Sequence, residues 1–219
     1  MRCSAETVGF PAANRVQITT MAAIQSNMLA LGTAAPAFAL PDVSTGQVRR
    51  LSDLAEGRAL LVVFLCAHCP YVVHVAPELA RLAGDYAERP VSIVGITAND
   101  VSAYPQDAPE PTARFAREAG FGFPILFDED QSVALAYSAA CTPDFFLFDA
   151  NHRLFYRGQL DSSRPGRGPD RPEQGTLNGA DLRAALDAVL EGGSAPEHQR
   201  PSIGCSIKWK PGNEPGPLR

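Results

Sequence analysis

Six residues in a row, Ala59 to Phe64, are apolar, and the run predicts a buried strand over 59–65. Val91 to Thr97 is short, apolar and β-branched and predicts a second. Between them the pattern changes to helical spacing, predicting a helix over 69–86. Further helices are expected over 112–119 and about 130–139, with a strand over 124–127 between them. Strands over 144–149 and 153–158 are separated only by a short turn at Asn151-His152, which predicts an antiparallel hairpin. Leu182, Ala185, Leu186 and Leu190 recur at helical spacing and predict a closing amphipathic helix over 179–191. Upstream, Phe38–Pro41 and Gln47–Leu51 flank Ser44-Thr45-Gly46, the signature of another hairpin.

Strands and helices alternate and then end in a hairpin, so the chain is expected to be an α/β protein with a central mixed sheet. Residues 1–28 show no clear period and are expected to be a loosely ordered extension. Residues 29–191 form the domain, and 192–219 a tail that folds back on it. The tail segment Ser202 to Trp209 is too apolar to be a free end. Ser162–Thr176, rich in Gly, Pro and Arg, is expected to be mobile, and Asn99–Pro111 to be a proline-rich loop.

A chain of 219 residues can bury a normal core without disulfide staples. The net charge of −5, with no basic run, argues against nucleic acid as a partner. No apolar stretch reaches the ~20 residues of a membrane helix. Arg2 is followed by no apolar segment of the secretory kind, which suggests a cytoplasmic protein. In that setting five cysteines point to redox or metal chemistry rather than to structural bridges.

The chemistry concentrates where the first strand hands over to the helix, in Phe64-Leu65-Cys66-Ala67-His68-Cys69-Pro70. Free N–H groups and the helix dipole favour a thiolate there. A free thiol with a pKa near 8.5 is only about 3% ionised at pH 7, and the dipole supplies only ~0.3–1 kcal/mol, so other donors must contribute. His68, as an imidazolium or N–H donor, is one candidate; it could equally just shield the sulfur. Cys66 can bridge to Cys69 only if 66–69 is curled, because a disulfide needs Cα atoms about 4.4–6.8 Å apart.

The spacing resembles that of redoxins of the alkyl hydroperoxide reductase/thiol-specific antioxidant type and of thioredoxin-like reductases, which carry a strand Phe, then W-C-x-x-C, then M-P-E-L. Phe64 lies five residues before Cys69, and Cys69 eight before Pro77-Glu78-Leu79, so Cys69 resembles the family's first cysteine. The second then falls on Val72, and the visible Cys66-Ala67-His68-Cys69 is shifted upstream. Leu31–Pro36, Phe38–Asp42 and Phe123–Asp128 resemble further family segments, and Cys141-Thr142-Pro143-Asp144-Phe145 resembles the loop that holds a cis-proline. The resemblance covers roughly residues 31–191 and implies a thioredoxin-like three-layer α/β/α sandwich, here with an extra N-terminal hairpin.

It also implies a thiol–disulfide oxidoreductase without a cofactor or a resident metal. Its partners would be a thiol or disulfide protein, or a small thiol, together with a recycling reductant. Cys69 would be the nucleophile, with Cys66 and His68 beside it and Thr142, Pro143 and Cys141 as the substrate-facing loop. Cys205, in the tail, is a possible additional resolving thiol. Two other functions stay open. One is a peroxiredoxin-like antioxidant peroxidase, although the Pro and Thr of P-x-x-x-T-x-x-C are here Val62 and Cys66. The other is a non-catalytic metal-binding or regulatory module.

Overall fold

The structure is a computed structural model and describes residues 23–166 and 172–215. In chain order the strands are β1 (Ala23–Gln25), β2 (Ala39–Pro41), β3 (Val48–Arg50), β4 (Ala59–Phe64), β5 (Val91–Thr97), β6 (Ile125–Phe127), β7 (Cys141–Thr142), β8 (Asp144–Phe148), β9 (Leu154–Gly158) and β10 (Ile203–Ser206). The helices are α1 (Leu51–Ala55), α2 (Pro70–Asp85), α3 (Pro109–Ala119), α4 (Ser132–Ala136) and α5 (Ala180–Leu190).

Five strands form the central sheet in the order β6-β5-β4-β8-β9. β4 pairs in parallel with β5 and antiparallel with β8, and β8 pairs antiparallel with β9, so the sheet is mixed. Every residue of β4 is buried, which is why its sequence is continuously apolar rather than alternating. Leu61 and Val63 face a core shared with α2 and α5, while Leu60, Val62 and Phe64 face a second core with Tyr137 and Phe146. The result is the thioredoxin-like three-layer arrangement.

Several boundaries differ from the sequence expectation. The helix expected from residue 69 starts at Pro70, because Cys69 keeps extended backbone angles (φ −73°, ψ 121°) and serves as its N-cap. Proline fits that first helical position, where its missing N–H costs nothing. The loop expected over 99–111 contains a 3₁₀ turn, Pro105–Asp107, and α3 begins at Pro109 rather than 112. The helix expected over about 130–139 is cut to Ser132–Ala136.

Residues 1–22 of the expected N-terminal extension lie outside the described residues. Ala23–Gln25 departs from the loose order expected up to residue 28: it pairs with β10, because the tail offers it an open strand edge. In the segment 162–176 that was expected to be mobile, residues 167–171 lie outside the described set, and Arg164 and Gln174 bond to each other through backbone.

The tail returns across the end of β9 and over the start of α2. Gly158 (φ +146°) permits this: a Cβ there would stand 2.2 Å from the Arg200 carbonyl oxygen. Gln159 N–H donates to Arg200 O at 2.9 Å, and Ser202 Oγ donates to Gly158 O at 2.6 Å. β10 then pairs antiparallel with β7 on one edge and β1 on the other. β7 runs directly into the Thr142–Pro143 peptide, which is cis.

Candidate active site

Cys69 ends the β4–α2 connection and is fully buried, with Val72 behind it in the first turn of α2. Its Sγ lies 3.1 Å from the Thr142 carbonyl oxygen, to which the thiol form donates. That bond favours the protonated form. Against it stand donors that favour the anion: the Cys205 thiol, the Cys66 thiol, the Thr142 hydroxyl and the Val72 backbone N–H. Burial also opposes ionisation, yet the balance holds the Cys69 thiol well below the ordinary cysteine range, the Cys205 contact contributing most.

Cys66 behaves oppositely. Its hydrogen bond to Cys69 raises it most, followed by burial and then by the negative charge of Asp107. Its Sγ sits 3.4 Å from Thr142 Oγ1. Ala67 and His68 form a turn, so the segment 66–69 is curled and its two thiols are in bonding contact. The surroundings thus favour the anion at Cys69 and the protonated thiol at Cys66.

The curl is held from below by Asp107, a residue that the sequence reading did not pick out. Its carboxylate is fully buried and accepts from the Ala67 backbone N–H at 3.1 Å and from Asn99 Nδ2 at 2.8 Å. His68 Nδ1 lies 2.6 Å from Asp107 Oδ2, an ion-pair distance without the in-line geometry of a hydrogen bond. The imidazole stacks on Tyr104 (centroids 5.8 Å apart, 6° between planes). His68 thus turns toward Asp107, and the donors that lower Cys69 are thiols, a hydroxyl and a backbone N–H. Nothing periodic marks Asp107; the only hint was a Pro-Gln-Asp turn in a proline-rich loop.

Thr142 is the hub of the group, bonding Cys66 through its hydroxyl and Cys69 through its carbonyl, and Pro143 fixes the turn beside it. Cys205 stands opposite Thr142 in the β7–β10 register and joins the cluster. Cys141 does not. Neighbours on a strand face opposite ways, its Sγ turns to the Pro143 carbonyl, and burial followed by the Asp144 charge pushes its thiol up. Cys66 Sγ, a His68 ring nitrogen and an Asp107 oxygen lie within 4.8 Å of one another, a grouping with metal-ligand chemistry. Each already has a protein partner: Thr142 for Cys66, and each other and Asn99 for the pair.

Comparison with known proteins agrees with this architecture. An uncharacterized conserved protein from Geobacillus kaustophilus has a similar crystal structure, with a TM-score of 0.82 and 53% identity over 87% of this chain and 98% of its own. The thiol-disulfide oxidoreductase ResA of Halalkalibacterium halodurans is 31% identical over 124 residues, which are 56% of this chain and 65% of the relative. Peroxiredoxin Bcp of Escherichia coli is 29% identical over 132 residues, 59% of this chain and 79% of the relative. The AhpC/TSA family model matches residues 31–157, more than half of the chain and the whole stretch from the N-terminal hairpin through cis-Pro143 to β9; the chain belongs to the AhpC/TSA family.

Proposed function

We propose that the chain is a thiol–disulfide oxidoreductase in which Cys69 is the nucleophile and Cys66 the resolving thiol. The observation that carries this is the curled turn that brings both sulfurs onto Thr142, Cys69 3.1 Å from its carbonyl oxygen and Cys66 3.4 Å from its hydroxyl, in surroundings that lower the first thiol and raise the second. The Cys69 thiolate attacks one sulfur of a substrate disulfide; a Cys69–substrate S–S bond forms, and the other substrate sulfur leaves as a thiolate and takes up a proton. The Cys69 charge is then gone, and with it the largest influence that keeps Cys66 protonated. Cys66 attacks Cys69 Sγ and expels the second substrate sulfur, which leaves with the Cys66 proton, and a Cys66–Cys69 disulfide remains. A recycling reductant, a dithiol protein or small thiols, returns two electrons and two protons, one restoring the Cys66 thiol and the other replacing the proton that the first leaving sulfur took from solvent. His68 acts as a positioning residue, pinning the turn against Asp107.

A cytoplasmic setting fits this use of cysteine, in which the thiols serve as reactants. Among the described residues no helix is long and apolar enough to cross a membrane.

Reduction of glutathione disulfide and of insulin tests the proposal. Cys69→Ser should abolish both. Cys66→Ser should retain the first half-reaction, trap a mixed disulfide and lose turnover with a recycling reductant. Turnover by Cys66→Ser at the parent rate would remove Cys66 from the mechanism.

Peroxidase activity is the second reading, favoured by the similarity to a peroxiredoxin. It would carry Cys69 to a sulfenic acid, with release of water or alcohol, before Cys66 resolves it. Peroxide consumption faster than disulfide reduction would select it.

A further inference from the structure

The edge of β7 nearest the thiols is occupied by the chain's own tail. β10 lies antiparallel on it, Cys205 opposite Thr142 and Ser206 opposite Cys141. An exposed strand edge is where an extended peptide docks, through main-chain hydrogen bonds. Here that edge is full, and Cys66 and Cys69 are buried beneath it. The Cys205 thiol is the leading donor to the Cys69 sulfur, where the reacting sulfur of a docked segment has to come. Gly204 leaves no room for a side chain: a Cβ would stand 2.0 Å from the Thr142 carbonyl oxygen, 2.6 Å from its carbon and 3.2 Å from Pro143 N. Register, sulfur contact and glycine converge.

We infer that β10 is a tethered substrate strand, a Gly-Cys segment laid where an external cysteine-bearing polypeptide would pair with Cys141–Thr142. The inference rests on the oxidoreductase reading above and names its substrate class: an extended polypeptide with glycine directly before its reactive cysteine. The tail is pinned on both sides of the cluster. Ser202 N–H donates to Ser26 Oγ at 2.9 Å, Ile207 N–H to Ala140 O at 3.0 Å and Lys208 N–H to Asn99 Oδ1 at 2.9 Å. A tethered occupant acts at an effective concentration on the order of millimolar or above, so an outside segment reacts only by displacing it.

The test uses full-length Cys66→Ser oxidised with diamide. The Cys69 thiolate adds to the N=N bond, and Cys205 then attacks the Cys69 sulfur. An S–S bond forms, and the diazene leaves as its hydrazine, having taken two electrons and two protons from the two thiols. Peptide mapping without reductant should find a Cys69–Cys205 disulfide as the main product. Cys205 recovered as a thiol while Cys69 is oxidised would overturn the inference. Were this disulfide to form while the parent reduced neither insulin nor glutathione disulfide, the oxidoreductase reading would fail and the strand assignment would stand.

A second variant tests the groove itself. Gly204→Val forces β10 off β7 and should react at least tenfold faster than the parent with a thiopyridyl-activated Gly-Cys peptide. It should also prefer that peptide at least tenfold over its Val-Cys counterpart. Parent-level rates in a variant with parental near-UV circular dichroism, or no preference between the peptides, would overturn the inference; if the variant does not fold, the disulfide mapping decides.

Discussion

Replacing Asp107 by Asn should shift reactivity from Cys69 toward Cys66. The carboxylate oxygen lies within 4.8 Å of the Cys66 sulfur. At that separation and an effective dielectric of about 20, a full negative charge disfavours a Cys66 thiolate by about 3.5 kcal/mol. Every 1.4 kcal/mol is a factor of about ten, so removing even part of this field is measurable. The amide keeps one oxygen for the Ala67 N–H, but its NH₂ faces Asn99 Nδ2 and His68, so one charge-assisted bond worth about 1.5–3 kcal/mol is lost as well. The assay is brief iodoacetamide labelling near neutral pH, quenched and mapped by mass, together with urea unfolding. The expected result is a Cys66-to-Cys69 labelling ratio at least tenfold above the parent's and a stability loss of about 2 kcal/mol. An unchanged ratio in a folded variant would refute the assignment of Asp107 as one of the groups that keep Cys66 protonated.

Burial raises Asp144, directly after the cis-proline, from 3.8 to about 8. The folded state therefore holds a proton that the unfolded state releases, and stability falls as pH rises from about 4 to about 8. Asp144→Asn should flatten that decline by several kcal/mol between about pH 5 and about pH 9, read by urea unfolding at both; parallel curves for parent and variant would contradict it. Glu78, almost fully buried in α2, bonds Arg81 and, across to α5, Arg183 Nε at 2.9 Å. Glu78→Gln should cost about 2–3 kcal/mol, below the usual figure for a broken buried pair because both arginines are partly exposed to solvent. A thermal melt coincident with the parent's would show that this tie between the helices carries no energy.

The layers were legible because burial writes itself into hydrophobic period. β4 is apolar throughout because both its faces are covered, and α5 shows its stripe because only one face is. Cys69 and Cys66 stood out by their place at a strand–helix junction, and Thr142 and Pro143 by resemblance to the family's proline loop; the fold brings the four together. Their relative tuning was not legible, since it depends on which donors converge on each sulfur in space. Asp107 is separated from Cys66 by about forty residues and has no neighbours of regular period, so only the folded loop brings it under the turn. The tail showed an apolar segment and a cysteine, but its partner edge exists only once β7 has formed. Nothing in the sequence marks Gly204; only the fold sets the Thr142 carbonyl oxygen 2.0 Å from where its Cβ would be.

The order of thiol reactivity tests the account most directly. Iodoacetamide labelling of the reduced parent protein as a function of pH, mapped residue by residue, should find Cys69 modified first, with an apparent pKa clearly below that of a free thiol. Because the sulfur is buried, labelling in mild denaturant should erase that advantage as the donors disperse. Labelling that goes first to Cys66 or Cys141 in the native protein, or a Cys69 that titrates like a free thiol, would contradict the placement of the nucleophile at the start of α2.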